Sequence, residues 1–344
     1  MPTTDHQTFT GGGEPNPDPL PGAWRRPEPY RAEDTLIDAV NMALALRRPL
    51  LLEGDPGAGK TRLAYAVAYE MGWPLHTCYV RSTSRAEDLL YEFDQLNRLY
   101  DIQASCAIAR SSGEDDGGTV PAPPEKTEYL AFQPLGMAVK NAADKGRPSV
   151  VLIDEIDKAD IDFPNDLLQV LEEWRFSVKE IVDKGTGKPM EIDALKGESK
   201  KYRKAALPLV IVTSNREKEL PPAFLRRCLY YFIEFPKPEK LQEILSVHFG
   251  KGIDERFQTA VAKFMELRGT DRKDELFSWR KKPGASELID WASMLEERNF
   301  PVSKLKKCHP TRLPFLETLV KSGDDRESLM KKRHETGAAA PGKK

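Results

Sequence analysis

One short segment constrains this chain more than any other: Gly54-Asp-Pro-Gly-Ala-Gly59-Lys60-Thr61. It matches GxxxxGK[ST] in full, the spacing of a loop that wraps phosphates. It follows the apolar run LLLE and opens TRLAYAVAYE, so it links a buried strand to a helix. Glycines let backbone N–H groups turn inward around a phosphate, and the helix N-terminus adds partial positive charge. Lys60 would carry a full charge to the β- and γ-phosphates, and Thr61 would offer magnesium a hydroxyl. The expected nucleotide contacts are therefore Gly54, Asp55, Pro56, Gly57, Ala58, Gly59, Lys60, Thr61 and Arg62. ATP with Mg2+ is the ligand this loop predicts.

The surrounding pattern predicts an α/β fold. LIDAVNMALAL puts Leu36, Ala39, Val40, Ala43 and Leu44 on one helical face. RPLLLEG, LHTCYV, SVVLIDE and LPLVIVTSN are apolar strands, and several end in polar residues. Strands of this kind, alternating with helices, form a parallel sheet covered on both faces. RFSVKEIV, DKGTGKP and MEIDAL together predict a hairpin, and beyond Pro236 helices dominate. The expected division is a flexible N-terminal arm at 1–28, an α/β core at 29–236 and a smaller helical lid at 237–300. A basic tail at 301–344, part helix and part disordered, would follow. The Gly- and Pro-rich stretch within 103–128 reads as a mobile insertion.

Two further strand ends carry chemistry. Val150-Val-Leu-Ile-Asp154-Glu155 delivers adjacent carboxylates to the carboxyl end of a strand, where ligands of open α/β sheets sit. Asp154 would hold magnesium, and Glu155 would take or orient the proton of an attacking water. Asn215 ends LVIVTSN. It would either position that water or serve as a strand-end turn residue. After LPPAF come Arg226 and Arg227, either surface charge or an arginine finger directed at a neighbouring subunit's γ-phosphate. Arg227, nearer the next strand, is the choice, with Arg226 as the alternative.

Composition excludes little and favours nothing exotic. Lys and Arg total 52 against 54 Asp and Glu, a net charge of -2, so bulk charge gives no drive toward nucleic acid or anionic membrane. The four cysteines form no CxxC pair, and the five histidines lack zinc spacing. The N-terminus lacks the basic start and apolar run of a signal peptide, and no apolar stretch reaches membrane-spanning length. A cytoplasmic protein is expected. Trp73, Trp174 and Trp291 read as packing residues, and His76, His248 and Cys228 as structural ones.

The ordered set of phosphate loop, DE strand end, Asn-ended strand, arginine and helical C-terminal part resembles the AAA+ ATPases. PLLLEGDPGAGKTRLAYAVAYEMG, SVVLIDEIDKADIDFPNDLLQVLEEWRFSV and LPFLETLVKSGDDRE resemble the MoxR branch of that superfamily, over about Tyr30 to Arg326. The resemblance implies an ATP-hydrolysing chaperone or remodelling ATPase that forms a ring, expected to be hexameric, with ATP between subunits. It further implies a protein client and a von Willebrand A-domain or other effector-associated partner. By the same resemblance Asn215 matches sensor 1, Arg227 the finger and FSVKEI the pre-sensor hairpin, while Tyr30 lies near the adenine. The insertion after RSTSRAEDLLYEFD matches a client-facing insert of helix 2. One departure stands out: GASELIDWA has Glu287 and Leu288 where the family's sensor 2 arginine is expected. Arg280, Lys281 or Lys282 would either substitute or form a solvated face, and no sensor 2 is assigned. The competing readings are an ATPase of a conflict or restriction system acting on nucleic acid, and a nucleotide switch that scaffolds a complex.

Overall fold

The computed structural model describes residues 8–28, 30–111, 124–183, 185–196, 206–269 and 278–335. The chain divides into two compact units. The first comprises Met1–Glu53 with Leu63–Tyr231, and the second Gly54–Arg62 with Phe232–Lys344.

A five-stranded sheet organises the first unit. Its strands are β1 (Leu50–Gly54), β2 (Leu75–Tyr79), β5 (Val150–Asp154), β8 (Leu209–Ser214) and β9 (Leu229–Ile233). The order is β2-β5-β8-β1-β9. Parallel registers pair Leu75 with Val150, Val150 with Leu209, and Leu50 with Ile211. All six residues of β8 are buried, as are the first four of β5. This explains why both read as unbroken apolar runs rather than alternating ones. Helix α1 (Asp34–Leu46) buries the five residues its periodicity selected.

Further helices flank the sheet: α2 (Lys60–Met71), α3 (Gln95–Ser111), α4 (Pro134–Lys145), α5 (Phe163–Glu173) and the short α6 (Pro222–Leu225). A two-stranded ribbon joins β3 (Tyr91–Phe93) to β4 (Leu130–Phe132). The hairpin read from RFSVKEIV and MEIDAL is β6 (Arg175–Val182) paired antiparallel with β7 (Pro189–Asp193), Phe176 opposite Ile192. Of the insertion expected at 103–128, α3 covers the start, and residues 112–123 lie outside the described residues.

Residues 8–28 differ from the flexible arm expected of them. Phe9 is 1% exposed, and its N–H and C=O are both bonded by the Asn41 side chain, at 2.9 Å each. Leu20 and Trp24 donate backbone N–H groups to the carbonyls of Gly72 and Trp73, and Trp24 packs edge-on against Tyr65. Burying one phenylalanine stabilises by about 1.5–3 kcal/mol, enough to tie down a segment whose composition reads as disordered.

The second unit is helical beyond the loop: α7 (Pro238–Phe249), α8 (Glu255–Arg268), α9 (Ala285–Glu297), α10 (Val302–Lys307) and α11 (Gly323–Glu335). Asp254 caps α8 by accepting from the Phe257 N–H at 2.8 Å, the usual task of an N-cap aspartate. The Trp291 indole N–H donates to Pro314 O at 2.7 Å, which satisfies the one polar atom of a fully buried ring. Leu305, Leu313, Leu319 and Leu329 join this core. Residues 301–335, expected as part of a basic tail, thus complete the helical unit. The lysines of KLKK face outward and Leu305 faces inward. Among the described residues no helix is long and apolar enough to cross a membrane.

Candidate functional site

At the carboxyl ends of β5 and β8, inside the first unit, polar side chains form a continuous network. Glu155 stands immediately after β5 with φ of 60, a left-handed conformation that costs a non-glycine residue about 1–3 kcal/mol. Its N–H donates to Thr213 Oγ1 at 2.9 Å, and the Thr213 hydroxyl donates to Asp154 Oδ1 at 2.6 Å. Asn215 Nδ2 donates to Glu155 Oε1 at 3.2 Å. Lys158 Nζ donates to Glu155 Oε2 at 2.5 Å, and this bond raises the Lys158 ammonium above the usual lysine range.

Asp157 holds the other side of this cluster. It is 2% exposed, and its Oδ2 accepts from the backbone N–H groups of Asn215 at 3.0 Å and Glu217 at 2.8 Å. Lys218 Nζ donates to the carbonyls of Lys158 and Ala159, fixing the turn after Glu155. Asp154, Glu155 and Asn215, predicted separately, therefore belong to one hydrogen-bonded set. Thr213, Asp157 and Lys158 were not singled out from the sequence. Thr213 and Asp157 owe their place to partners about sixty residues away, while Lys158 was one charge among many in DEIDKAD.

Arg226 and Arg227 follow α6 and are both exposed. The Arg227 Nε pairs with Glu172 at the end of α5, and its Nη1 donates to Ala223 O at 3.1 Å. Both arginines border a cavity of about 440 Å3 that Arg47, Arg48, Leu171 and Trp174 also line. Tyr30, expected near an adenine, lies close to Tyr231 and Glu33; burial first, then these two neighbours, pushes its phenol above the ordinary tyrosine range. Cys228 is buried, and burial lifts its thiol to about 12, too high for a reactive nucleophile.

The phosphate loop belongs to the second unit. Gly54 has φ of 158 and Gly57 φ of 78, and a side chain at Gly54 would run into the Ile233 carbonyl. Lys60 is 6% exposed, with Nζ donating to Gly54 O at 2.7 Å and Asp55 O at 2.9 Å. These bonds offset the cost of burying the ammonium. The loop's glycines, the Lys60 ammonium and the Thr61 hydroxyl fit a nucleotide's phosphates and the magnesium that accompanies them.

The helical part supplies a cation at this loop that the sequence did not reveal. Arg268, 4% exposed at the end of α8, donates from Nη2 to Asp55 Oδ2 at 2.9 Å and from Nη1 to Pro283 O. Its guanidinium lies 3.5 Å from the Phe235 ring centre, a stacked geometry that guanidinium favours. At the position where an arginine was sought, Glu287 accepts from the Gly284 N–H at 2.9 Å to start α9, and Leu288 is fully buried. Of the suggested substitutes, Arg280 pairs with Asp324, while the Arg280 and Lys281 N–H groups both donate to Asp325. The only sequence signal for Arg268 was an arginine at a helix end before Gly269, a common C-terminal pattern.

No curated protein matches this chain. A family model described as AAA domain, dynein-related subfamily, matches residues 49–228, more than half of the 344-residue chain and a span that includes the loop, Asp154, Glu155, Asn215 and Arg227. The chain belongs to this family of nucleotide-dependent ATPases.

Proposed function

We propose that this protein hydrolyses ATP between the subunits of a MoxR-type ring and uses the energy to remodel a protein client. The observation that carries the reading is the grip of Asn215 and Thr213 on the residues that end β5: an amide on the Glu155 carboxylate and a hydroxyl on Asp154. A strand simply running into a charged loop would not need its two carboxylates tied to the next strand. In this reading Lys60 and the N–H groups from Gly57 to Thr61 bind the β- and γ-phosphates, with Arg62 and Tyr30 nearer the nucleoside. Thr61 and Asp154 hold magnesium, which when bound neutralises charge that builds on the phosphates. Glu155 takes the proton of the attacking water that Asn215 helps orient, and Arg227 reaches the γ-phosphate of a neighbouring subunit. The helical unit acts as the lid, with Arg268, through its bond to Asp55, as the cation it brings to the loop. The client-facing elements would be the insertion within 103–128 and the β6–β7 hairpin, with a von Willebrand A-domain protein as a natural partner.

The test is phosphate release from Mg-ATP by the wild type, Glu155→Gln and Arg227→Ala, with nucleotide affinity measured alongside. Loss of release with retained affinity in both variants supports the reading. Tight binding without turnover in the wild type favours a nucleotide switch, and release that only DNA stimulates favours a nucleic-acid ATPase.

A further inference from the structure

Two adjacent arginines precede β1, and the second has an unusual set of partners. Arg48 donates from Nε to Arg227 O at 2.9 Å and from Nη2 to Cys228 O at 3.1 Å and to Arg226 O. Three consecutive carbonyls are thus gathered by one fork. They belong to the turn between α6 and β9, where a helix C-terminus leaves carbonyls without helical partners and favours a nearby cation. One residue on, Leu229 N–H donates to Pro49 O at 2.8 Å. Arg48 and Pro49 therefore stitch the Arg226–Leu229 backbone to the segment that leads into β1, from side chain and main chain at once.

The side chain carried by this turn has no comparable restraint. Arg227 is held by Glu172, in an ion pair whose two side chains are 43% and 49% exposed, and by one carbonyl. Exposed pairs of this sort contribute little, so the guanidinium can leave Glu172 for a stronger anion while its backbone stays put. Arg47, Arg48, Arg226 and Arg227 stand around the cavity against a single carboxylate, Glu172. The positive excess favours an incoming phosphate.

We propose that Arg48 is the positioning residue of the arginine finger: its fork on the carbonyls of Arg226, Arg227 and Cys228 fixes the turn from which Arg227 reaches a neighbour's nucleotide. This rests on the proposed role of Arg227 in trans and adds a residue that touches no nucleotide itself. Misplacing a catalytic group by an ångström costs about a hundredfold, so Arg48→Gln should lower turnover about ten- to a hundredfold without changing ATP affinity. Arg48→Lys keeps the charge but cannot span three carbonyls, and should fall in the same direction.

Mixed assemblies separate this role from damage to the fold. A Glu155→Gln subunit has no base of its own but offers an intact finger. Mixed in equal amounts with Arg48→Gln or Arg48→Lys, it should restore about a quarter of wild-type turnover, the share of head-to-tail interfaces that join an intact base to an intact finger. The same mixture with Arg227→Ala serves as the reference. Rescue of both Arg48 and Arg227 variants supports the assignment. Rescue of Arg227→Ala alone, or undiminished turnover in Arg48→Lys or Arg48→Gln, overturns the positioning role and leaves the finger standing. Rescue of neither overturns the finger in trans itself, and the positioning role with it.

Discussion

The strand-end carboxylates and the phosphate loop are secured in opposite ways. Around Glu155 the support is polar and comes from the adjoining turn and the neighbouring strand: Thr213, Asn215 and Asp157 within the first unit. The loop depends on residues distant in sequence, because Asp55 and Arg268 are 213 positions apart. Gly284 at the head of α9 approaches so closely that a side chain at Gly57 would crowd its Cα. In the proposed reaction the first arrangement would fix where a proton goes, and the second would fix the shape of an anion cradle. Substitutions in the first region should therefore change the chemical step, and those in the second should change binding and the stability of the helical unit.

The largest expected effect is that of Glu155→Gln. Removing a general base lowers kcat by about 10²- to 10⁴-fold, with Kd for ATP held within a factor of three or so of wild type, as rapid-quench and equilibrium-binding measurements would show. A large loss of affinity in this variant would erase the contrast between the two regions. Next comes Arg268→Ala. Breaking a buried ion pair costs about 3–5 kcal/mol when the stranded charge stays buried. Asp55, however, is 53% exposed and can be rehydrated, so about 1–3 kcal/mol is expected. It should appear as earlier melting of the helical unit and weaker ATP binding, with kcat at saturating ATP less affected than KM.

Asp157→Ala should act in the opposite sense. The buried N–H groups of Asn215 and Glu217 lose their acceptor, at about 1–3 kcal/mol, and Asn215 drifts from Glu155. We expect kcat to fall about tenfold with little change in affinity. Glu172→Gln frees Arg227 from its exposed partner, and turnover at low protein concentration should rise by no more than about fivefold, the scale of such pairs.

The smallest effect concerns pH. The bond to Glu155 raises the Lys158 ammonium, so its contribution to stability is complete below the ordinary lysine value and is lost only as pH climbs through the raised one. Lys158→Met should thus shift turnover evenly from about pH 6 to 9, within the range where lysine stays charged. A new inflection in that window would show that Lys158 titrates with the reaction.

Legibility in the sequence follows the same division. The loop, the buried strands and the placing of Asp154, Glu155 and Asn215 at strand ends are readable because each depends on a short run of residues: a glycine spacing or an apolar strand with a polar end. Arg48, Asp157 and Arg268 were not, since nothing in RRPLL, DKAD or MELRG says which distant backbone or carboxylate each will meet. The N-terminal segment misled for a related reason. Its Gly, Pro and Asp content is that of a disordered arm, yet Phe9 and Asn41 anchor it through contacts 32 residues apart. In the tail, KLKK hides a single inward leucine, Leu305, among exposed lysines, so its basic composition does not show which residue packs.

If a neighbouring subunit completes each site, ATP turnover per subunit depends on protein concentration and can be followed alongside oligomeric mass. Specific activity should climb as rings assemble and then level off, with Arg227→Ala flat and low throughout. Constant specific activity across a range where the mass falls to that of a single chain would contradict completion by a neighbour, because a lone subunit would then carry a complete site.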